Sequence, residues 1–315
     1  MDRISRFFIQ LLLGLALSCL ATLSARAQDM VAVFQPDLRQ PYTEVFKAIV
    51  DGVEAHANFS VRVHKIVEDY DVDALTKWLK KHNIKAIIAL GTDGLAAAKE
   101  AANGIPVLAA ASLLSPDPAK PFVGGISLAT DPDLVFEELK RLMPGVKKVC
   151  AVYSNTFNGW LMQQAQIAAE KRGIQLRALA AEDLRQAVLH YKVILNEMQT
   201  GKDALWLPLD PITVENRTAL PLILRVSWDR NLTVVSSNAP HAKRGTLFST
   251  FPEHDEMGKS IALTVNQWLS SPDPRINMVA LRDVGIALNV RTAAHLGVRL
   301  DKEELAAYDL LFPTN

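Results

Sequence analysis

Short apolar runs and helical stripes alternate along most of this chain. Val31-Ala32-Val33-Phe34 reads as a buried strand, Tyr42 to His56 as a helix, and Val61 to Ile66 as a second strand. Val72, Leu75 and Leu79 recur at helical spacing before the unbroken apolar strand Ala86-Ile87-Ile88-Ala89-Leu90. An apolar run of that kind marks a strand covered on both faces, as in a parallel sheet. A helix from Gly94 to Ala102, strands at Val107 to Ala110 and near Phe122 to Ile126, and a helix from about Asp133 to Leu142 complete a first series, which Pro144-Gly145 breaks.

The series then restarts. Val149 to Tyr153 is a strand, and Leu161, Ala165, Ala168 and Ala169 form the apolar stripe of a helix that stops at Lys171-Arg172-Gly173. Ile174, Leu176 and Ala178 alternate as a strand. Leu184, Ala187, Val188, Tyr191, Leu195 and Met198 follow at helical spacing, and Ala204 to Leu207 is the next buried strand. A helix from about Val214 to Arg230 leads to a strand at Leu232 to Val235. The rhythm predicts an α/β fold of two successive units, each a parallel sheet flanked by helices in the Rossmann manner.

The segment before the first strand has another character. Arg3 and Arg6 precede the apolar run Leu11 to Leu17, and Ala25-Arg26-Ala27 offers a small-x-small cleavage pattern, so residues 1–27 are expected to be an export signal and Gln28 the first residue of a periplasmic protein. The competing reading is a lipoprotein anchored at Cys19, with Ala16 standing where a Leu is usual. The apolar run is short of the roughly 20 residues that a membrane span needs.

Composition is that of an ordinary globular chain, 49% hydrophobic and 22% charged, long enough for two domains. Removing Arg3, Arg6, Arg26 and Asp2 from the 34 basic and 34 acidic residues leaves a net charge of about −2. That balance argues against a nucleic-acid partner. With Cys19 gone, Cys150 stands alone inside Val149-Cys150-Ala151-Val152 and is read as a small core residue.

In open parallel sheets, ligands bind beyond the carboxyl ends of the strands. Polar residues gather at those positions in both units. Gln35 through Tyr42 follow the first strand of one unit, and Ser154-Asn155-Thr156-Phe157-Asn158-Gly159-Trp160 the first strand of the other. Gly91-Thr92-Asp93 and Pro208-Leu209-Asp210 follow the third strands, and Ala111-Ser112 and Ser236-Ser237-Asn238 the fourth. Each residue has a plainer reading. Thr92, Asp93 and Ser154 serve equally as helix caps, Asp210 as a turn residue before proline, and Tyr42 and Trp160 as packing aromatics.

Further landmarks are Ile105-Pro106-Val107 after an Ala-rich helix, Pro144 to Val149, the helix Ala165 to Ile174, Gly258 opening a long helix, and Asn289 through Ala294, Gly297-Val298 and Leu300. In this order the chain resembles the substrate-binding proteins of ABC transporters, of the type I periplasmic-binding fold, in the group with tryptophan- and tyrosine-binding members. The resemblance implies two lobes, residues 28–145 with about 253–282 and residues 146–252 with about 283–315, closing as a monomer by rotation about crossovers near Pro144, Phe251-Pro252 and Asp283. It implies an amino-acid-like ligand whose carboxylate meets Thr92 and the amides beside it, with Ser154 and Asn158 adding polar contacts, Asp210 facing an ammonium, and Tyr42, Phe157 or Trp160 stacking. The partner would be an ABC permease or, as the alternative, a membrane sensor protein. Two stretches depart from the family pattern. Ala111-Ser112-Leu113-Leu114 replaces the usual Asp-Pro-Val, and Phe122-Val123-Gly124-Gly125 the usual Asn-x-Thr-Gly.

An enzyme would need chemistry that the sequence does not display. It carries no Gly-x-Ser-x-Gly elbow, Walker loop or His-Glu-x-x-His, and Glu253-His254-Asp255-Glu256 suits a helix start better than a metal. The expectation is a non-enzymatic protein with no cofactor and no metal. A LacI-like regulator of the same fold is set aside by the export signal and the missing DNA-binding headpiece.

Overall fold

The computed structural model describes residues 28–40, 42–116, 123–271 and 277–313. The expected export signal and Cys19 lie outside these residues, as does Phe122 at the start of an expected strand. Strands β1 (Met30–Pro36), β2 (Ser60–Ile66), β3 (Ile84–Leu90), β4 (Val107–Ala110) and β5 (Val123–Thr130) alternate with helices α1 (Tyr42–His56), α2 (Val72–Lys81) and α3 (Gly91–Ala101). With β11 (Met278–Leu281) they form a six-stranded, wholly parallel sheet in the order β11-β5-β4-β3-β1-β2. The central strands are apolar on both faces because helices cover both; every residue from Ala86 to Leu90 is buried. Gly125 allows β5 to lie against β4, since a Cβ there would come within 1.9 Å of the Ala109 carbonyl oxygen.

The second sheet is built from β6 (Lys148–Tyr153), β7 (Gln175–Ala180), β8 (Asp203–Leu207), β9 (Thr233–Ser236), β10 (Phe248–Pro252), β12 (Val284–Asn289) and β13 (Leu310–Phe312), in the order β13-β12-β10-β9-β8-β6-β7. Only β12 against β10 is antiparallel within it. The remaining helices are α4 (Pro132–Leu142), α5 (Asn155–Lys171), α6 (Leu184–Glu197), α7 (Ala219–Asp229), α8 (Pro240–Arg244), α9 (His254–Ser270), α10 (Val290–His295) and α11 (Lys302–Ala306). Cys150 is buried in the second core, and that burial pushes its thiol pKa up.

Two helices pack away from the sheet that precedes them. Helix α4 follows β5, yet Val135, Phe136 and Leu139 share a core with Val149 and Trp206 of the second sheet. Phe136 meets Trp206 edge-on, with ring centroids 5.4 Å apart. The expected break at Pro144-Gly145 thus falls after a helix already docked on the second sheet. Helix α9 follows β10 but returns Met257, Ile261 and Val265 to the first core beside Ile49 and Val53 of α1. The chain therefore passes between the cores at 130–131, 252–253 and 282–283.

Those passages lie side by side. Thr130 and Thr250 share a buried hydroxyl hydrogen bond of 2.9 Å, Asp131 N donates to Leu281 O at 2.8 Å, and Glu253 N to Asp283 O at 2.9 Å.

One helix begins later than its periodicity predicts. The segment from Val214 to Thr218 is turns, and α7 starts at Ala219. Pro221 explains the shift: it is tolerated in a first turn but would break the interior of a helix begun at Val214.

Candidate functional site

Beyond the carboxyl ends of β8 and β9 lies a cavity of about 480 Å³. The loop Pro208 to Pro211 forms one wall, Asn216 and Arg217 another, and Asn238 and His241 a third; Leu113 reaches it from the first unit. The late start of α7 creates this shape, because the turns before it line the cavity. They are held by Glu215, whose carboxylate accepts from the amides of Arg217 and Thr218 at 2.6 Å each, contacts that lower its pKa.

Beneath the cavity two polar hubs set the geometry. Asp210 is buried, and its Oδ2 accepts from Ser154 N (2.7 Å), Ser154 Oγ (2.8 Å) and Asn158 Nδ2 (2.9 Å). Its Oδ1 accepts from the amides of Ile212 (2.9 Å) and Thr213 (3.1 Å), the turn role that its sequence position suggests. Asn158 also donates to Leu209 O at 3.1 Å, locking the loop from below. Ser154 stands at the helix N-cap but its side chain makes no capping bond, because its hydroxyl is committed to Asp210.

The second hub is His241, fully buried in α8. Its Nδ1 lies 2.8 Å from Ser236 Oγ, and its Nε2 lies 3.2 Å from Asn216 Oδ1 and 3.3 Å from Asn238 Nδ2. Burial, and secondarily the charge of Arg244, pull its pKa down to about 4. The imidazole is therefore neutral at physiological pH. A ring that donates to Asn216 through Nε2 and accepts from Ser236 through Nδ1 satisfies both nitrogens.

The expected site residues divide into three groups. Asp210 and Asn238 line the cavity, and Ser154, Asn158 and Ser236 are buried behind it. Phe157 lines a smaller cavity of about 160 Å³ with Leu114 and Ser115 of the first unit, where Ser115 Oγ donates to Thr156 O (2.9 Å) and Phe157 O (3.0 Å). Trp160 packs on the second core and donates from Nε1 to Phe157 O, while Asn155 is exposed at the helix start. The first-unit set is placed apart. Tyr42 is 63% exposed, Thr92 is exposed with its hydroxyl on Asp93, Ser112 is buried, and Gln35 pairs in register with Lys65. Gly91, at φ +70°, is buried against Phe46, and Asp93 borders a separate cavity with Asp37, Glu68 and Tyr70. Asn216, Arg217 and His241 escaped sequence reading, because only the fold sets Asn216 against a histidine 25 positions later.

With two parallel-dominated sheets and a cavity at strand ends in place, comparison with known proteins decides the class. The model of the ABC transporter substrate binding protein family matches residues 47–309. The chain belongs to that family. No curated protein matches this substrate-binding protein. Among solved structures, it is similar to an ABC domain in complex with L-Trp from Streptococcus pneumonia, at 18% identity and TM-score 0.55, over 90% of this chain and 100% of that one. A ligand-free, open substrate binding protein with adhesive properties from Clostridium difficile gives 15% identity and TM-score 0.61, over 91% and 100%. A periplasmic ribose ABC transporter protein from Conexibacter woesei gives 16% and 0.51, over 87% and 95%. These likenesses place the substrate-binding protein in the type I periplasmic-binding fold. Membership implies a small-molecule ligand and a membrane permease as partner, and the class is non-enzymatic. No helix among the described residues is long and apolar enough to cross a membrane.

Proposed function

We propose that this substrate-binding protein is exported by residues 1–27 and captures a small organic acid with an apolar portion, an amino acid or close analogue, for an ABC importer. The cavity at the ends of β8 and β9 carries this reading: it pairs an apolar wall (Leu113, Pro208, Leu209, Pro211, Val214) with Asn216, Arg217, Asn238 and a neutral His241, while the two carboxylates that line it, Asp210 and Glu215, are engaged by backbone amides. An apolar wall facing a set of placed polar groups suits recognition of such a molecule. Arg217 makes no ion pair among the described residues and is proposed to meet the ligand carboxylate; the amide groups of Asn216 and Asn238 would take the remaining polar atoms. Asp210, with its lone pairs filled, is proposed as the brace of the wall and not as the partner of an ammonium.

The lobes are proposed to divide at 130–131, 252–253 and 282–283, placing α4 with the second lobe, and to close by rotation about those strands. Closure would bring Thr92 and the start of α3 toward Arg217. That the pneumococcal fold neighbour holds L-Trp makes amino acids the first class to try.

Thermal unfolding against amino acids, their analogues, sugars and purines tests the reading. A ligand at about 100 times its Kd stabilises the native state by roughly 2.7 kcal/mol and lifts Tm by several degrees. An amino-acid response that Arg217→Ala weakens at least ~10-fold supports the proposal. A response confined to sugars, or one untouched by Arg217→Ala, overturns the assigned ligand class or the assigned contact.

A further inference from the structure

We propose that a second pocket, sharing no lining residue with the cavity at Asp210, binds a phosphorylated group. It has a volume of about 390 Å³ and lies where α7, α8 and α10 meet, with Arg225 and Trp228 from the first, Lys243 and Arg244 from the second and Arg291 from the third. No aspartate or glutamate lines it. None of the four cations makes an ion pair among the described residues. In a chain with a formal net charge of zero, this is a local concentration of unneutralised positive charge. Four like charges around one pocket repel one another, and a bound anion relieves that repulsion.

The pocket is held in shape before anything binds. Asn289 Nδ2 donates to Ala242 O at 2.8 Å and Thr292 Oγ1 to Gly245 O at 3.1 Å, tying the start of α10 to the end of α8. Arg244 is fixed by Asn216, donating to its Oδ1 at 3.0 Å and its carbonyl oxygen at 2.9 Å. Trp228 stacks on His295 with ring centroids 3.8 Å apart and planes 4° off parallel, and the Arg291 guanidinium sits 5.2 Å from the Trp228 ring. Three guanidinium forks and one ammonium suit phosphate oxygens, and a phosphate presents up to two charges where a carboxylate presents one. A soluble phosphorylated molecule and a phospholipid headgroup share that chemistry. The proposal is independent of what the cavity at Asp210 binds.

The test titrates the purified protein with inorganic pyrophosphate by calorimetry at low ionic strength, and in parallel sediments it with vesicles of phosphatidylglycerol and phosphatidylcholine. Saturable pyrophosphate binding is expected, weakened by added salt, weakened at least ~10-fold in Arg225→Gln/Arg291→Gln, and unchanged in Arg217→Ala. Lys243→Glu, a single surface change, is expected to weaken it as well and serves if the double variant folds poorly. Pyrophosphate binding without sedimentation assigns a soluble phosphorylated ligand; sedimentation that pyrophosphate competes away assigns a headgroup. Failure to bind either probe, or binding that survives Arg225→Gln/Arg291→Gln and Lys243→Glu, overturns the proposal.

Discussion

Asp210 draws its five hydrogen bonds from donors of its own unit, which fills the roughly four lone-pair sites of a carboxylate. Asp210→Ala would strand the amides of Ser154, Ile212 and Thr213 and the side chain of Asn158, so it is expected to cost at least ~3 kcal/mol of stability, read as a lower urea midpoint. A stability equal to the unsubstituted protein's would mark Asp210 as a residue waiting for ligand instead. His241 supplies a pH signature. Its pKa falls from 6.5 in the unfolded chain to about 4 when folded, so the unfolded state binds more protons as pH drops through that interval and stability declines there, by up to about 3 kcal/mol. Burial pushes the carboxyls of Glu253 and Asp283 up, so they act in the opposite sense, lowering stability as pH rises through their titration. The difference between unsubstituted protein and His241→Gln in urea melts from pH 4 to 7 isolates the histidine, and its decline with acid is expected to vanish in the variant. At this scale sequence reading singled out Asp210, Ser154 and Asn158 and offered the turn role of Asp210, but not that Ser154 and Asn158 donate to its carboxylate. A residue's type and place at a strand end do not reveal which partners have already occupied it.

Helices α1 and α9 pack through a pair of glycines. A Cβ on Gly258 would come within 2.2 Å of the Ile49 carbonyl oxygen, and one on Gly52 within 2.3 Å of the Asp255 carbonyl oxygen. Since backbone must shift in either case, Gly258→Ala is expected to cost about 1–3 kcal/mol despite its better helix propensity, measurable as a lower Tm. A neutral or stabilising effect would mean that the two helices slide apart freely. Long periodic helices and strands that are apolar runs were legible: α1 from Tyr42 to His56 and the buried β3 and β8 lie where the pattern places them. The short strands β10 to β13 were not. What makes Val284–Asn289 a strand is its antiparallel pairing with β10, which lies 36 positions earlier. Helix α4 was found, but its apolar stripe says only that it packs, and Phe136 meeting Trp206 says where.

Across the whole molecule, the two sheets share one chain that changes sides three times through adjoining strands. Thr130 and Thr250, buried and bonded to each other, sit where the first two passages touch. The proposed closure would turn the halves about this narrow line while the strands on either side keep their pairing. The same interleaving also dictates an order of assembly. The first sheet lacks its edge strand β11 until residue 281 has emerged, and the second its edge strand β13 until residue 312. A chain delivered from its amino terminus thus holds two incomplete halves until nearly all of it has arrived.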